Sequence, residues 1–267
     1  MAVLTGKQRI WLTGATSGIG LALARRLLAE GHRVALSARR REALAELAEG
    51  HDSALVAPLD LTDRESVRDA GRQIDVAFGG LDLVIHNAGT CEYLDARHFD
   101  VDLVERVFAA NFHGALHVVD AALPLLRKAR DNDGSRPLLA AVSSASAYLP
   151  LPRAEAYGAS KAALSHFLES LRLDLAGERI DVSVIHPGFV KTPLTERNDF
   201  PMPMRVGADV AAEAILKGLE KRTLDIHFPK RFTSIVKLLG ILPPTLRRRI
   251  GLAMTRDTTN ENQKGTL

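Results

Sequence analysis

Thr13-Gly14-Ala15-Thr16-Ser17-Gly18-Ile19-Gly20 is the stretch that decides the fold of this chain. Before it, Arg9 to Thr13 (R-I-W-L-T) is a short apolar run of the kind that forms a buried strand. After it, Gly18 to Glu30 sets Ile19, Leu21, Leu23, Leu27 and Leu28 among alanines, a helix composition that Gly31 is placed to stop. A strand that turns through glycines into a helix offers unpaired N–H groups and a positive dipole end to an anion, and the glycines let the backbone approach a pyrophosphate. The plainer reading is an ordinary glycine-rich turn. The strand–turn–helix context favours a dinucleotide, with Gly14, Thr16, Ser17, Gly18, Ile19 and Gly20 as its contacts.

Outward from this point, apolar runs alternate with helical patterns. Strands are expected at Arg33 to Ser37, Ala54 to Leu59, Leu81 to His86, Pro137 to Ser143, Ile180 to His186 and Leu224 to Phe228. Helices are expected at Arg41 to Glu49, Arg64 to Phe78, Val101 to Lys128 with a bend or cap near Pro124, and Tyr157 to Ala176. Nearly continuous apolar strands separated by helices mean a parallel sheet covered on both faces. The fold class is therefore α/β, a doubly wound parallel sheet of about seven strands. Ligands of such sheets bind beyond the carboxyl ends of the strands.

The length of 267 residues fits one large domain better than two small ones, and 46% hydrophobic with 25% charged residues is ordinary for a globular chain. The organisation expected is a dinucleotide-binding and catalytic domain over residues 1–229, a basic amphipathic extension over 230–254, and a polar, disordered tail over 255–267. Cys91 is the single cysteine, which excludes an internal disulfide and fits a reducing cytoplasm. There is no signal-like segment and no membrane-spanning run, and no metal is called for.

The formal charge of +3 is unevenly spread. Between Ile226 and Arg256 stand seven basic residues and no acidic one, and removing those seven leaves the rest of the chain at −4. The body is thus no nucleic-acid binder. In the C-terminal segment Phe232, Ile235, Val236, Leu238, Leu239, Ile241 and Leu242 interleave with Lys and Arg before Pro243-Pro244. Two uses fit: packing over the cleft or a neighbouring subunit, or lying on an anionic membrane surface. Short apolar runs interrupted by prolines favour packing.

The residue after the second strand selects the dinucleotide. An acid there would bind ribose hydroxyls. Here Ser37-Ala38-Arg39-Arg40 brings no carboxylate and two guanidinium groups, which favours a 2′-phosphate and hence NADP(H), with Arg39 the first choice and Arg40 the second. Two solvated arginines at a helix start are the alternative. Asp60-Leu61 and Asn87-Ala88-Gly89 also follow strands and are candidate cofactor contacts, although both are good turn residues.

Tyr157 and Lys161, four apart on a helix, share a face. An ammonium group beside a phenol, whose ordinary pKa is about 10, favours the phenolate and fits Tyr157 for acid–base work. Ser144, thirteen residues earlier, can hydrogen-bond the same substrate oxygen, with Ser143 and Ser146 in competition. Each feature alone has a bland reading: a surface pair, a turn serine, a polar residue inside a helix.

Taken in order, T-G-x-x-x-G-x-G from Thr13, N-A-G from Asn87, Asn111, Ser144, Tyr157-x-x-x-Lys161 and Pro187-Gly188 resemble the single-domain branch of the short-chain dehydrogenase/reductase family over roughly residues 7 to 228. The resemblance implies a Rossmann-type fold and a homo-dimer or homo-tetramer. It implies that Asn111 holds a water leading from Lys161 to solvent, that Lys161 also binds the nicotinamide ribose, and that Pro187, Gly188, Val190 and Thr192 lie by the carboxamide. One departure is His86, where the family more often has Asn. The loop from Pro193 to Pro203 is placed as a substrate lid. Phe189, Phe200, Met202, Met204, Tyr148, Leu149 and Leu151 would then make an apolar wall for a hydrophobic carbonyl or alcohol, or belong to the core. Two rivals stay open: a dinucleotide sensor without turnover, and an epimerase or dehydratase of the family's longer branch.

Overall fold

Side-chain alternation along Arg9–Thr13 sets the layering. Ile10 and Leu12 are fully buried in one hydrophobic cluster and Trp11 in the other, as a central strand with helices on both faces requires. The computed structural model describes residues 4–198 and 200–254, so the predicted tail 255–267 lies outside the described residues.

The first half of the chain runs β1 (Arg9–Thr13), α1 (Gly18–Ala29), β2 (Arg33–Ser37), α2 (Arg41–Ala48), β3 (Ala54–Val56), α3 (Arg64–Phe78) and β4 (Leu83–His86). Then come α4 (Val101–Phe108), α5 (Gly114–Asp133), β5 (Leu138–Val142), α6 (Glu155–Leu175), β6 (Asp181–Pro187), β7 (Val190–Lys191) and β8 (Val206–Gly207). The last elements are α7 (Ala208–Glu220), β9 (Asp225–Phe228), α8 (Lys230–Gly240) and α9 (Pro244–Met254). Seven strands form one parallel sheet in the order β3-β2-β1-β4-β5-β6-β9. The order reverses between β1 and β4, and the crevice of a doubly wound sheet opens at that reversal. It puts the ends of β1 and β4, Thr13 and His86, side by side in register.

Local signals account for the helix limits. Asp63 caps α3, its side chain accepting from the N–H groups of Glu65 and Ser66, and Gly79 ends the helix in the left-handed conformation at φ 70°. The expected strand at 54–59 is regular only through Val56, but Ala57 and Leu59 still donate to Leu36 and Ala38 (3.0 and 3.1 Å). The helix expected over 101–128 is broken elsewhere than expected. It runs straight through Pro124 and is interrupted by a π-helical turn at Ala109–His113. That wider turn carries Asn111 into the interior, where it is completely buried. The short pair β7·β8 was also not foreseen; it brackets the predicted lid.

Burial divides the consequences of substitution. Leu36→Ala, at a side chain with no exposure, lowers unfolding stability by about 2–5 kcal/mol in urea, whereas Val76→Ala, at 90% exposure on α3, changes it by less than about 0.5 kcal/mol. Equal effects of the two would contradict this assignment of the core.

Candidate active site

At the reversal of strand order, the glycine turn lies against the loop after β4. A side chain at Gly14, whose φ is +69°, would put its Cβ 2.9 Å from both Ala88 Cα and Asn87 Nδ2, and one at Gly20 would run into the Gly14 carbonyl. Asn87 Nδ2 donates to the carbonyls of Thr13 (3.3 Å) and Gly14 (3.2 Å). The Thr13 hydroxyl accepts from the N–H groups of Asn87 (3.1 Å) and Ala88 (3.2 Å), which leaves its proton for His86 Nδ1 at 3.0 Å. His86 is therefore a structural hydrogen-bonder. Burial, with the nearby charge of Lys161 adding to it, holds its pKa down to about 3, so the ring is neutral. Gly18, at φ +53°, faces Thr192: a Cβ there would lie 2.9 Å from Thr192 Cγ2. The loop after β6 thus meets the glycine turn. Thr16, Ser17 and Ile19 lie on the same turn and at the start of α1.

Arg39 and Arg40 follow β2, both exposed. The charge of Arg39 reaches Asp60, whose carboxyl is held below the usual range first by the Thr62 N–H, then by the Thr62 hydroxyl, and also by Arg39. Asp60 Oδ1 is occupied by those two Thr62 donors at 2.9 and 2.7 Å. The Leu61 carbonyl accepts from His117 Nδ1 at 2.8 Å. His113 and His117 stand four apart on consecutive turns, but no group of His, Cys, Asp or Glu able to hold a metal occurs among the described residues.

Past β5 the polar groups converge. The Ser144 hydroxyl acts on the Tyr157 phenol, lowering its pKa, whereas Ser143 turns inward to the Lys161 carbonyl (2.9 Å), so of the two serines Ser144 is the one on the side of the phenol. Burial pushes the Tyr157 pKa up, the neighbouring Cys91 adds to this, and the Ser144 hydroxyl pulls it partly back. The depression expected from Lys161 is not seen. The Lys161 ammonium donates to the Val142 carbonyl at 2.9 Å, and burial lowers its own pKa to about 8. Asn111 braces the neighbourhood: its Oδ1 accepts from Thr90 N–H (2.8 Å), and its Nδ2 donates to the Thr90 carbonyl (2.9 Å) and Ser160 Oγ (3.0 Å). Gly89 fits between them, for a Cβ there would lie 2.9 Å from Asn111 Oδ1 and 3.1 Å from Lys161 Nζ.

Residues 8–200 match the family model described as short chain dehydrogenase. The chain belongs to the short-chain dehydrogenase/reductase family. An uncharacterized oxidoreductase of Myxococcus xanthus is 36% identical over 239 residues, 88% of this chain and 92% of that one. A short-chain dehydrogenase from Streptomyces avermitilis has the same fold with a TM-score of 0.75 at 25% identity, over 87% of this chain and 92% of that one. A short chain dehydrogenase from Burkholderia cenocepacia, solved in complex with NADP, superposes with a TM-score of 0.79 at 24% identity, over 96% of this chain and all of that one.

This member of the short-chain dehydrogenase/reductase family carries a second polar cluster that sequence reasoning missed. Ser143 Oγ lies 2.8 Å from Ser165 Oγ, and Ser165 Oγ 3.0 Å from His186 Nε2. His186 Nδ1 meets Asp225 Oδ1 at 2.9 Å, Tyr148 OH donates to the same carboxylate at 2.8 Å, and Lys237 of α8 completes the cluster as an ion pair. Burial alone would raise the Asp225 pKa, but His186, Lys237 and Tyr148 together hold the carboxyl well below its usual range. Tyr148 is thereby tied to β9 and α8, which departs from its expected place on an apolar wall. Aromatic rings do line up beside the predicted lid. Phe232 of α8 lies 5.2 Å from Phe189, Phe189 6.1 Å from Phe200, and Phe200 5.5 Å edge-on from Tyr93. Tyr93 OH donates to Asn198 Oδ1 at 3.0 Å, and Met202 Sδ accepts from Asn198 Nδ2 at 3.4 Å. Leu149 is buried and Met204 is exposed, so neither distinguishes pocket from core.

Asp225→Asn weakens the tie between β9 and α8. The carboxylate is partly exposed, and screening keeps the loss in urea at neutral pH to about 1–2 kcal/mol. Because the folded pKa lies below the unfolded one, the wild-type contribution is present above pH ~4 and disappears as pH falls toward the folded value. The variant should show a flatter acid limb, and an unchanged urea midpoint at neutral pH would remove Asp225 from this role.

Proposed function

We propose that the chain is an NADP(H)-dependent oxidoreductase that interconverts a carbonyl and an alcohol on a hydrophobic small molecule, with Tyr157 as the acid–base group. The observation that carries this reading is a buried Lys161, bonded to the Val142 carbonyl, one helical turn from Tyr157 and packed with Asn111 around Gly89, beside a glycine cradle that side chains would fill. The cradle fits a dinucleotide. Gly14, Gly18 and Gly20 approach their neighbours too closely for a Cβ, and the first N–H groups of α1 open on the same turn.

On this reading the residues 14–20 hold the pyrophosphate and Arg39, seconded by Arg40, holds the 2′-phosphate. Asp60 and Leu61 border the adenine, Asn87 to Gly89 back the ribose, and Pro187, Gly188, Val190 and Thr192 lie by the carboxamide. When bound, the dinucleotide supplies or accepts the hydride. Ser144 fixes the substrate oxygen. Tyr157 gives that oxygen a proton in reduction and takes it back in oxidation. Lys161 holds the nicotinamide ribose and sets the field at the phenol, and Asn111 braces the loop and orders the water that leads protons away. The ring series Tyr93, Phe200, Phe189 and Phe232 supports an apolar substrate.

A homo-dimer or homo-tetramer belongs to the same reading; exposed Phe99, Val101 and Leu173, on or beside α4 and α6, are candidates for its contact. No helix among the described residues is long and apolar enough to cross a membrane, and a cytoplasmic site of action fits the single cysteine.

NADPH consumption with a panel of aldehydes, ketones and quinones tests the reading. Tyr157→Phe lowers kcat about 10²–10⁴-fold while NADPH binding, followed by nicotinamide fluorescence, persists. Retention of full turnover by that variant would overturn the role of the phenol. Arg39→Ala weakens NADPH about ten- to a hundredfold and leaves NADH unchanged; a wild-type preference for NADH would remove Arg39 from the account.

The Lys161 pKa of about 8 gives a further signature. Turnover falls as pH rises through that value, because the ammonium is lost. Stability moves the opposite way. The folded pKa lies below the unfolded value of about 10.4, so between the two the unfolded chain binds more protons and folding gains with rising pH. Lys161→Met should lose both trends, and an alkaline limb surviving in that variant would assign it to another group.

A further inference from the structure

The C-terminal extension presents a face that the proposed chemistry does not use. α8 turns Thr233 and Val236 into the protein and sets Phe232 against Phe189. Its Lys237 also points inward, to Asp225. The opposite side carries Ile235, Leu238 and, at the helix end, Ile241, which are 51%, 60% and 80% exposed. α9 follows after only three residues and buries none of its side chains. Leu246 is 42% exposed, and Leu246, Ile250 and Met254 recur every four residues along one side of that helix.

The charge carried by this segment has one sign. Lys230 and Arg231 stand at the start of α8, and Arg248 and Arg249 are exposed on α9. No acidic residue occurs from Ile226 to Arg256. Self-docking of this face through a two-fold axis would set exposed Lys230, Arg231, Arg248 and Arg249 against the same cations of a second copy, a repulsive arrangement. The remaining segment 255–267 has a single large apolar residue, Leu267, too little to cover three exposed aliphatic side chains. Apolar residues flanked by unopposed Lys and Arg complement an anionic interface with an acyl layer beneath it.

We propose that α8 and α9 form a peripheral docking surface for anionic lipid bilayers, with Ile235, Leu238 and Ile241 entering the acyl boundary and Arg248 and Arg249 pairing with headgroup phosphates. The surface is independent of the catalytic reading. Its helix α8 also supplies Phe232, the last ring of the proposed substrate wall, 5.2 Å from Phe189.

Co-sedimentation of the full-length protein with vesicles tests it. The protein pellets with vesicles of phosphatidylcholine mixed with phosphatidylglycerol, not with phosphatidylcholine alone, and the bound fraction falls as salt rises. Leu238→Asp with Ile241→Asp abolishes pelleting, and Arg248→Gln with Arg249→Gln lowers the partition coefficient about tenfold or more. Both pairs are exposed, so thermal midpoint and NADPH turnover with a water-soluble carbonyl stay at wild-type values. Absence of pelleting by the wild type at low salt overturns the proposal, as does pelleting unaffected by the Asp pair. So does a change of oligomeric state in the Asp pair without vesicle binding, which would assign the face to a second copy of the chain. A protein that pellets but does not turn over NADPH sinks only the catalytic reading, and one that turns over but does not pellet sinks only this surface.

Discussion

The backbone of Gly14 can lie against Ala88 only because Gly14 and Gly20 carry no side chains. That contact is made possible by the reversal of strand order, which seats β1 beside β4, and it is secured by polar bonds. Asn87 holds the Thr13 and Gly14 carbonyls from its side chain, and the Thr13 hydroxyl receives two N–H groups from the opposing loop. The two loops therefore behave as one unit. A Cβ at any of these glycines would separate them and spoil the concave N–H surface on which the proposed cofactor site depends.

The other half of the site is built from buried polar groups that bond one another and neighbouring carbonyls across several elements. Asn111 bonds Thr90 and Ser160, Ser160 bonds the Tyr157 carbonyl, and Lys161 bonds the Val142 carbonyl. Ser143 and Ser165 continue through His186 to Asp225. Burying such groups unpaired would cost several kcal/mol, of order 1–3 for each. Paired, they fix the register of α6 against β5 and β6. The chain of bonds also ties α8 to the sheet through Lys237, which explains why its inward face is well defined while its outward face is free to meet solvent.

Much of this was legible in the sequence, for physical reasons that differ by element. β1 and β2 each hold three consecutive apolar residues between polar ends, so their limits were read to the residue. The π-helical turn at Ala109–His113 was not readable, because a helix with one extra residue per turn keeps the same composition, and Pro124 was the more conspicuous breaker. Ser144 and Lys161 were named through the spacing of the whole motif. Asp225, His186 and Lys237 were missed because their partnership spans β6, β9 and α8, and no local pattern joins them. Tyr93 was missed for the same reason, since its neighbours Asn198 and Phe200 are over a hundred residues away.

The environment of Tyr157 and Lys161 bears on direction. Burial acts on both groups alike by disfavouring charge, so it raises the phenol pKa and lowers that of the ammonium. A phenol held protonated is already the acid that reduction of a carbonyl requires. Oxidation of an alcohol needs the phenolate instead, and the Lys161 ammonium one helical turn away is itself weakened by the same burial and engaged with Val142. On the proposed mechanism, the protein part of the site is therefore set for proton donation, and the oxidative direction depends on additional positive charge brought to the phenol from outside the chain.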